Sequence, residues 1–130
     1  MRLVDTSAWI EWLVDSSLGR RLSHELPSKE DWLVPTIVQH ELAKWLMRNV
    51  GEEKADSVLA FTLTCVVVEL DTNIALMAAE LCISHKLATA DAIVYAMVKS
   101  LVVTVVLTAE AVWKGVRSAI ELLEELRPKK

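Results

Sequence analysis

The stretch MRLVDTSAWIEWLV, residues 1–14, predicts a buried strand that passes directly into a helix. Leu3 and Val4 form a short apolar run, and from Thr6 onward apolar side chains recur at the spacing of one helix face. Asp5 stands at the junction between the two elements. Because the carboxyl ends of neighbouring strands in an open α/β sheet border a crevice, an acid at such a junction can face that crevice. The stretch therefore predicts an α/β fold and one acid of a candidate site.

Strand and helix signals continue to alternate along the chain. Extended apolar segments are predicted at 32–35, 64–70 and 101–107, and helices at 18–26, 36–49, 52–63, from 72 onward and at 89–99. Thr36 and Gln39 match a capping box, which predicts that the third helix starts at Thr36. The segment 119–126 is spaced for a helix, although 119–123 fits a short last strand equally well. Strands separated by helices predict parallel pairing, with helices on both faces of the sheet.

The composition fits one compact domain. The chain has 130 residues and a mass of 14.5 kDa, and we assign residues 1–126 to the domain and 127–130 to a tail. Hydrophobic residues make up 53% of the chain, which argues against disorder, and three glycines are too few for a Walker motif or a dinucleotide fingerprint. Cys65 and Cys82 lie in apolar runs without a Cys-x-x-Cys arrangement, which predicts buried, reduced thiols and neither a redox centre nor a zinc site.

Charge and hydropathy limit which partners and which cellular location the sequence predicts. The net charge of −4 predicts no broad basic face, so any nucleic acid must be held by a metal ion and local basic patches. The first residues lack the long apolar segment of a secretory signal, and 101–107 is too short to cross a bilayer, which predicts a cytoplasmic protein without a membrane span. The three histidines show no metal-binding spacing, which argues against a zinc site or a His-based nuclease.

Four acids stand where apolar segments end or helices begin: Asp5, Glu41, Asp91 and Glu110. Each has an ordinary explanation, because acids are favoured in the first turn of a helix by capping and by the helix dipole. As a set they indicate a site for a divalent cation, since converging carboxylates repel one another unless a hard cation neutralises them. Asp71 occupies a similar junction, and we assign it to helix capping.

The order and spacing of four motifs extend this interpretation. The motifs are Val4-Asp5-Thr6-Ser7, Glu41-Leu42, the stretch TADAIVYA at 89–96, and Leu107-Thr108 with Glu110 and Trp113. Together they cover residues 2 to about 115, and in this order the chain resembles a PIN-domain nuclease of the VapC toxin type.

The resemblance implies a three-layer α/β/α sandwich with a central parallel sheet of four to five strands. It implies that the four acids gather at one end of the sheet, bind Mg²⁺ or Mn²⁺ as metal ligands and cut RNA. The family usually has Asp at the position of Glu110 and Phe at the position of Trp113, so Glu110 is the weakest match. The resemblance further implies that the hydroxyls of Thr6, Ser7 and Thr108 orient the acids, and that the protein is a homodimer restrained by an antitoxin.

Four basic residues are candidates to guide an RNA backbone towards the acids: Lys44, Arg48, Lys86 and Lys114. Their alternative interpretation is ordinary solvated charge. Trp9, Trp12 and Trp45 lie on apolar helix stripes, which favours a place in the core or an interface over base stacking.

Two rival functions stay open at this stage. One is a catalytically inactive PIN-like module that serves in binding or as a scaffold, which the departure at Glu110 permits. The other is a phosphate-handling α/β domain. An aspartyl phosphatase needs a second Asp where Ser7 stands, and a phosphate-accepting receiver needs a Lys where the late strand runs into Thr108-Ala-Glu.

Overall fold

The computed structural model describes residues 1–101 and 103–106. This part of the chain alternates strands and helices in the order β1 (Arg2–Val4), α1 (Thr6–Leu13), α2 (Ser17–Leu22), β2 (Trp32–Pro35), α3 (Thr36–Asn49), α4 (Glu52–Thr62), β3 (Val66–Val68), α5 (Thr72–His85), α6 (Thr89–Leu101) and β4 (Thr104–Val106). Two short 3₁₀ turns, Ser23–Glu25 and Lys29–Asp31, lie between α2 and β2. The predicted α/β class is confirmed.

The four strands form one parallel sheet in the order β3-β2-β1-β4. Leu3 lies opposite Leu33 on one side and Val105 on the other, so β1 is a central strand. The chain passes from β1 to β2 to β3 in one direction and then returns to β4 beyond β1. Because parallel crossovers are almost always right-handed, this reversal puts α5 and α6 on the opposite face from the helices between β1 and β3. The three-layer sandwich follows from this arrangement.

The core lies on both faces of the central strands. Leu3, Val4 and Val34 have no exposed surface, and Leu33 has almost none, as expected for parallel strands covered by helices on both sides. In α6 every residue from 92 to 98 is buried. A helix that is apolar all round is buried in the core, which is where α6 lies, against α5 and in contact with α3.

An aromatic cluster lies beneath α1. It consists of Trp9, Trp12, Trp32 and Phe61, and every pair of these rings has centroids 4.6–6.1 Å apart. Trp9 is fully buried and Trp32 is 3% exposed. The expectation that Trp9 and Trp12 serve the core is confirmed, and Trp45, which is half-buried, also packs against the core.

Several predicted boundaries were wrong in detail. The fourth strand begins at Thr104, because α6 continues to Leu101. The second helix ends at Leu22 and gives way to the first 3₁₀ turn. Strand β3 is limited to Val66–Val68. Cys65 and Cys82 are free thiols, as predicted, but each is only partly buried.

The predicted capping box at the start of α3 was also wrong. Pro35 occupies the cap position, and no side chain of the described residues caps this helix. Gln39 instead donates from Nε2 to the Oγ1 of buried Thr62 at 3.1 Å, which joins α3 to α4. Glu41 nevertheless lies in the second turn of α3, as expected.

Among residues 1–101 and 103–106, no single helix is long and apolar enough to cross a membrane. Helices α5 and α6 meet that test of length and composition only as a pair, and a bend of 117° separates them.

Candidate functional site

Asp5 lies at the carboxyl end of β1 and caps α1. Its backbone is extended, and its Oδ2 accepts hydrogen bonds from the Ser7 hydroxyl at 2.8 Å and the Ser7 backbone N–H at 3.4 Å. An Asp before a helix is favoured for this geometry, since its carboxylate satisfies a free N–H of the first turn. The Asp5 carboxylate is therefore held at the end of a central strand.

Glu41 is tied to the same place by a hydrogen bond between helices. The Thr6 hydroxyl donates to Glu41 Oε1 at 2.8 Å, across 35 positions of sequence. Thr6 is the first residue of α1, directly after Asp5, and Glu41 projects from the second turn of α3. Two of the predicted acids therefore each have a hydroxyl partner from the segment that follows β1.

Asp91 belongs to a different part of the fold, the start of α6. It lies in the first turn of α6, at the start of a helix as predicted, and the element before that helix is α5. Helix α6 turns sharply from α5 and contacts α3, the helix that carries Glu41, and the charge of Asp91 acts on Glu41. Asp91 is exposed, and within the described part of the chain its carboxylate accepts no hydrogen bond.

The electrostatics link the three acids. Burial raises the pKa of Glu41, and the charges of Asp5 and Asp91 raise it further, while the Thr6 hydroxyl and the Lys44 ammonium oppose the rise. The pKa of Asp91 is also raised, first by loss of hydration and then by the charge of Asp5. The charge of Asp5 thus acts on both Glu41 and Asp91, and that of Asp91 acts on Glu41, so the three carboxylates share one region of the molecule.

The donor chemistry of this region suits a hard divalent cation. Three carboxylates supply oxygen ligands, and their mutual repulsion would be relieved by positive charge. Within residues 1–101 and 103–106, however, no three His, Cys, Asp or Glu side chains are arranged to hold a metal ion. The described acids are thus neighbours with suitable ligand atoms, but they do not already surround an ion position.

The predicted basic residues differ in their relation to the acids. Lys44 follows Glu41 by one turn of α3, and its charge acts on that acid. Arg48 lies one turn further along α3 and is exposed, and Lys86 is exposed at the end of α5. Lys44 and Arg48 therefore continue the face of α3 that carries Glu41.

Four of the residues singled out from the sequence lie outside the described residues: Thr108, Glu110, Trp113 and Lys114. Asp71 lies within them. Its Oδ1 accepts a hydrogen bond from the Ile74 backbone N–H at 2.8 Å, at the end of the edge strand β3. The assignment of Asp71 to helix capping is confirmed.

Sequence reasoning missed one residue of this region, Tyr95. It lies one turn after Asp91 on α6 and is 7% exposed. Burial, followed by the charges of Asp91 and Asp5, raises the pKa of its phenol to about 12. Its position four residues after Asp91 was the available signal, because residues four apart lie on the same helix face.

Comparisons with known proteins identify the family to which the chain is similar. The model of the PIN domain matches residues 2–118. No curated protein shows significant sequence similarity to the chain.

Solved structures share the fold at low sequence identity. VapC20 of Mycobacterium tuberculosis, described as a toxin that cleaves the sarcin-ricin loop, is 20% identical over 79% of this chain and 85% of its own, with a TM-score of 0.68. VapBC-1 from nontypeable Haemophilus influenzae is 16% identical over 99% and 96%, with a TM-score of 0.68. VapBC2 from Rickettsia felis, bound to a DNA fragment from its promoter, is 13% identical over 90% and 93%, with a TM-score of 0.67.

Proposed function

The chain belongs to the PIN domain family, and we propose that it is a metal-dependent endoribonuclease that acts as the toxin of a toxin–antitoxin pair. The observation that supports the proposal is the hydrogen bond from Thr6, next to Asp5 at the carboxyl end of β1, to Glu41, 35 positions away. The charges of Asp5 and Asp91 also act on Glu41, although the three acids lie far apart in sequence. In parallel α/β sheets the carboxyl end of the strands is where ligands bind.

The chain's own residues would divide the work as follows. Asp5, Glu41 and Asp91 hold Mg²⁺ or Mn²⁺, and Glu110 is the fourth proposed ligand. Ser7 holds the Asp5 carboxylate and Thr6 holds that of Glu41, so two of the acids are oriented before an ion arrives. When bound, a divalent cation supplies the positive charge that activates a water molecule and stabilises the charge developing on a phosphodiester.

RNA would approach along a short basic stretch. Lys44 and Arg48 lie on the face of α3 that continues from Glu41, and Lys86 and Lys114 are further proposed phosphate contacts. Since the whole chain carries a net charge of −4, binding would depend on these local charges and on the cation. Thr108 completes the proposed set of hydroxyls that orient the acids.

A binding module without catalysis is the second candidate. The observation that favours it is the lack, among the described residues, of three acids already arranged around an ion position. The two candidates differ in turnover: the module would bind a partner or a metal ion without cutting RNA.

Cleavage of RNA by the purified chain, with and without Mn²⁺, tests the proposal. We expect Mn²⁺-dependent cleavage that falls by roughly 100-fold or more in Asp5→Asn and in Asp91→Asn, since even the partners of metal ligands contribute 10–100-fold. Asp71→Asn is the matched control, because Asn also caps a helix and β3 lies at the sheet edge, so its cleavage should equal the wild type. Metal binding without cleavage by the wild type would favour the binding module.

The proposed partner is an antitoxin that covers the acid groove, in the cytoplasm, where RNA is available. Support comes from the solved relatives that share the fold, which include VapBC complexes. Co-expression of the chain with the product of a neighbouring reading frame should yield a complex that no longer cleaves RNA. A neighbouring product that leaves cleavage unchanged would contradict this part of the proposal.

The proposed homodimer is supported by an exposed apolar stripe on α5. Leu76 is 63% exposed and Ile83 is 83% exposed, and Ala79 between them is small enough to let a second helix approach closely. Two antiparallel copies of α5 would pair Leu76 of one with Ile83 of the other around a two-fold axis. Light scattering of Ile83→Glu should report a monomer where the wild type is a dimer, and a monomeric wild type would refute the dimer.

A further inference from the structure

The first turn of α1 supplies a hydroxyl donor to each of two acids. The Ser7 hydroxyl donates to Oδ2 of Asp5 at 2.8 Å, and the Ser7 backbone N–H donates to the same oxygen at 3.4 Å. The Thr6 hydroxyl donates to Oε1 of Glu41 at 2.8 Å. In each of the two carboxylates, one particular oxygen is therefore engaged by α1.

The backbone fixes the positions of both donors. Thr6 and Ser7 are the first two residues of α1, and this helix begins directly after the central strand β1. Both hydroxyl hydrogen bonds are partly buried. A hydrogen bond to an ionised carboxylate is shorter and roughly twice as strong as one between neutral groups. The carboxylates of Asp5 and Glu41 are therefore restrained from turning both oxygens towards a ligand.

This restraint bears on the choice between two common divalent cations. Mg²⁺ needs near-octahedral geometry, keeps several waters and is bound through only one or two carboxylates. Ca²⁺ takes about six to eight oxygen ligands and often draws both oxygens from one carboxylate. Selectivity between them depends on the number of ligand atoms and on their flexibility. A carboxylate with one engaged oxygen offers fewer ligand atoms, which disfavours Ca²⁺.

We propose that Thr6 and Ser7 determine which cation the site accepts. By engaging Oε1 of Glu41 and Oδ2 of Asp5, their hydroxyls limit each carboxylate to one ligand oxygen and select Mg²⁺ over Ca²⁺. The inference rests on the proposed function, since it takes Asp5 and Glu41 as metal ligands. It adds cation selectivity to the orienting role of the two hydroxyls.

Calorimetric titration of the purified chain with Mg²⁺ and with Ca²⁺, without RNA, tests the inference. The quantity to compare is the dissociation constant for Ca²⁺ divided by that for Mg²⁺. We expect a ratio above one in the wild type. The ratio should fall by roughly 10-fold in Thr6→Val and in Ser7→Ala, because hydrogen-bond partners of metal ligands commonly change metal affinity by 10–100-fold.

Two further variants serve as controls. Thr6→Ser keeps the hydroxyl and should keep the wild-type ratio. Thr64→Val is the matched control for Thr6→Val, because the Thr64 hydroxyl donates to the Phe61 carbonyl, before the edge strand β3, and contacts no acid. A merely structural role for Thr6 would weaken both cations by the same factor and leave the ratio unchanged, which would overturn the inference.

The wild type alone also decides the question if Thr6→Val and Ser7→Ala fail to fold, since Ca²⁺ binding as tight as that of Mg²⁺ would overturn the selectivity. The outcomes separate the two proposals. A wild type that binds neither cation and cuts no RNA overturns both. A wild type that binds Mg²⁺ and cuts RNA, with an unchanged ratio in both variants, overturns the selectivity and leaves the proposed nuclease intact.

Discussion

The two turns of α1 lie in contrasting surroundings, the first beside the acids and the second in the aromatic cluster. Asp5, Thr6 and Ser7 begin the helix with polar groups at the acid region, where carboxylates repel one another and lose hydration. Trp9, one turn later, is fully buried among neutral rings that contribute dispersion and apolar burial. The comparison teaches that one short helix begins beside the acids, where repulsion and lost hydration cost stability, and gains stability one turn later from the aromatic cluster.

The largest expected effect is on the aromatic side. Trp9→Ala should lower the free energy of unfolding by about 3–5 kcal/mol, because it removes a fully buried indole and leaves a cavity. Denaturant unfolding measures this loss. Trp12→Ala is the matched control: Trp12 is only partly buried, so its loss should be smaller, and equal losses would contradict the ranking of the two rings.

A smaller effect is expected at the start of the same helix. Thr6→Val keeps the shape of the side chain and removes the donor to Glu41, so RNA cleavage should fall roughly 10-fold while stability changes by about 1 kcal/mol or less. Steady-state cleavage assays and thermal unfolding separate the two quantities. Thr6→Ser restores the hydroxyl and should restore cleavage. The proposed orienting role fails if Thr6→Val cleaves as well as the wild type.

The smallest expected effect is a pH-dependent gain in stability. The pKa of Glu41 is raised in the folded protein, so the folded state holds its proton more tightly than the unfolded state does. Stability is therefore lost as the pH rises from the ordinary pKa of a Glu to the raised one. Glu41→Gln removes this loss, and its melting temperature should exceed that of the wild type at neutral pH and match it at low pH.

The measurement for Glu41→Gln is thermal unfolding in EDTA across this pH range. Adding Mg²⁺ should reverse the order at neutral pH, because the cation stabilises the wild type by binding its acids. A variant that is less stable than the wild type in EDTA at neutral pH would argue that the acid region is not a source of repulsion.

Much of the fold could be predicted because its signals are local. Asp71 and the apolar residues after it specify a capped helix within a few positions, and the β-branched run 64–70 specifies a strand. Boundaries were harder, as at Leu101, where an apolar residue suits either a helix or a strand until the packing of α6 decides. Thr36 and Gln39 matched a capping box, but the side chain of Gln39 instead makes a tertiary hydrogen bond to Thr62.

The candidate site divides in the same way. The sequence by itself determined which residue types are present and which elements carry them: acids at the starts of helices, hydroxyls beside them and a parallel α/β arrangement. Only the tertiary structure decided that Thr6 reaches Glu41 and that the charge of Asp91 acts on Glu41. The physical reason is range: helix caps and periodicity act over a few residues, whereas these contacts depend on how whole helices pack across the sheet.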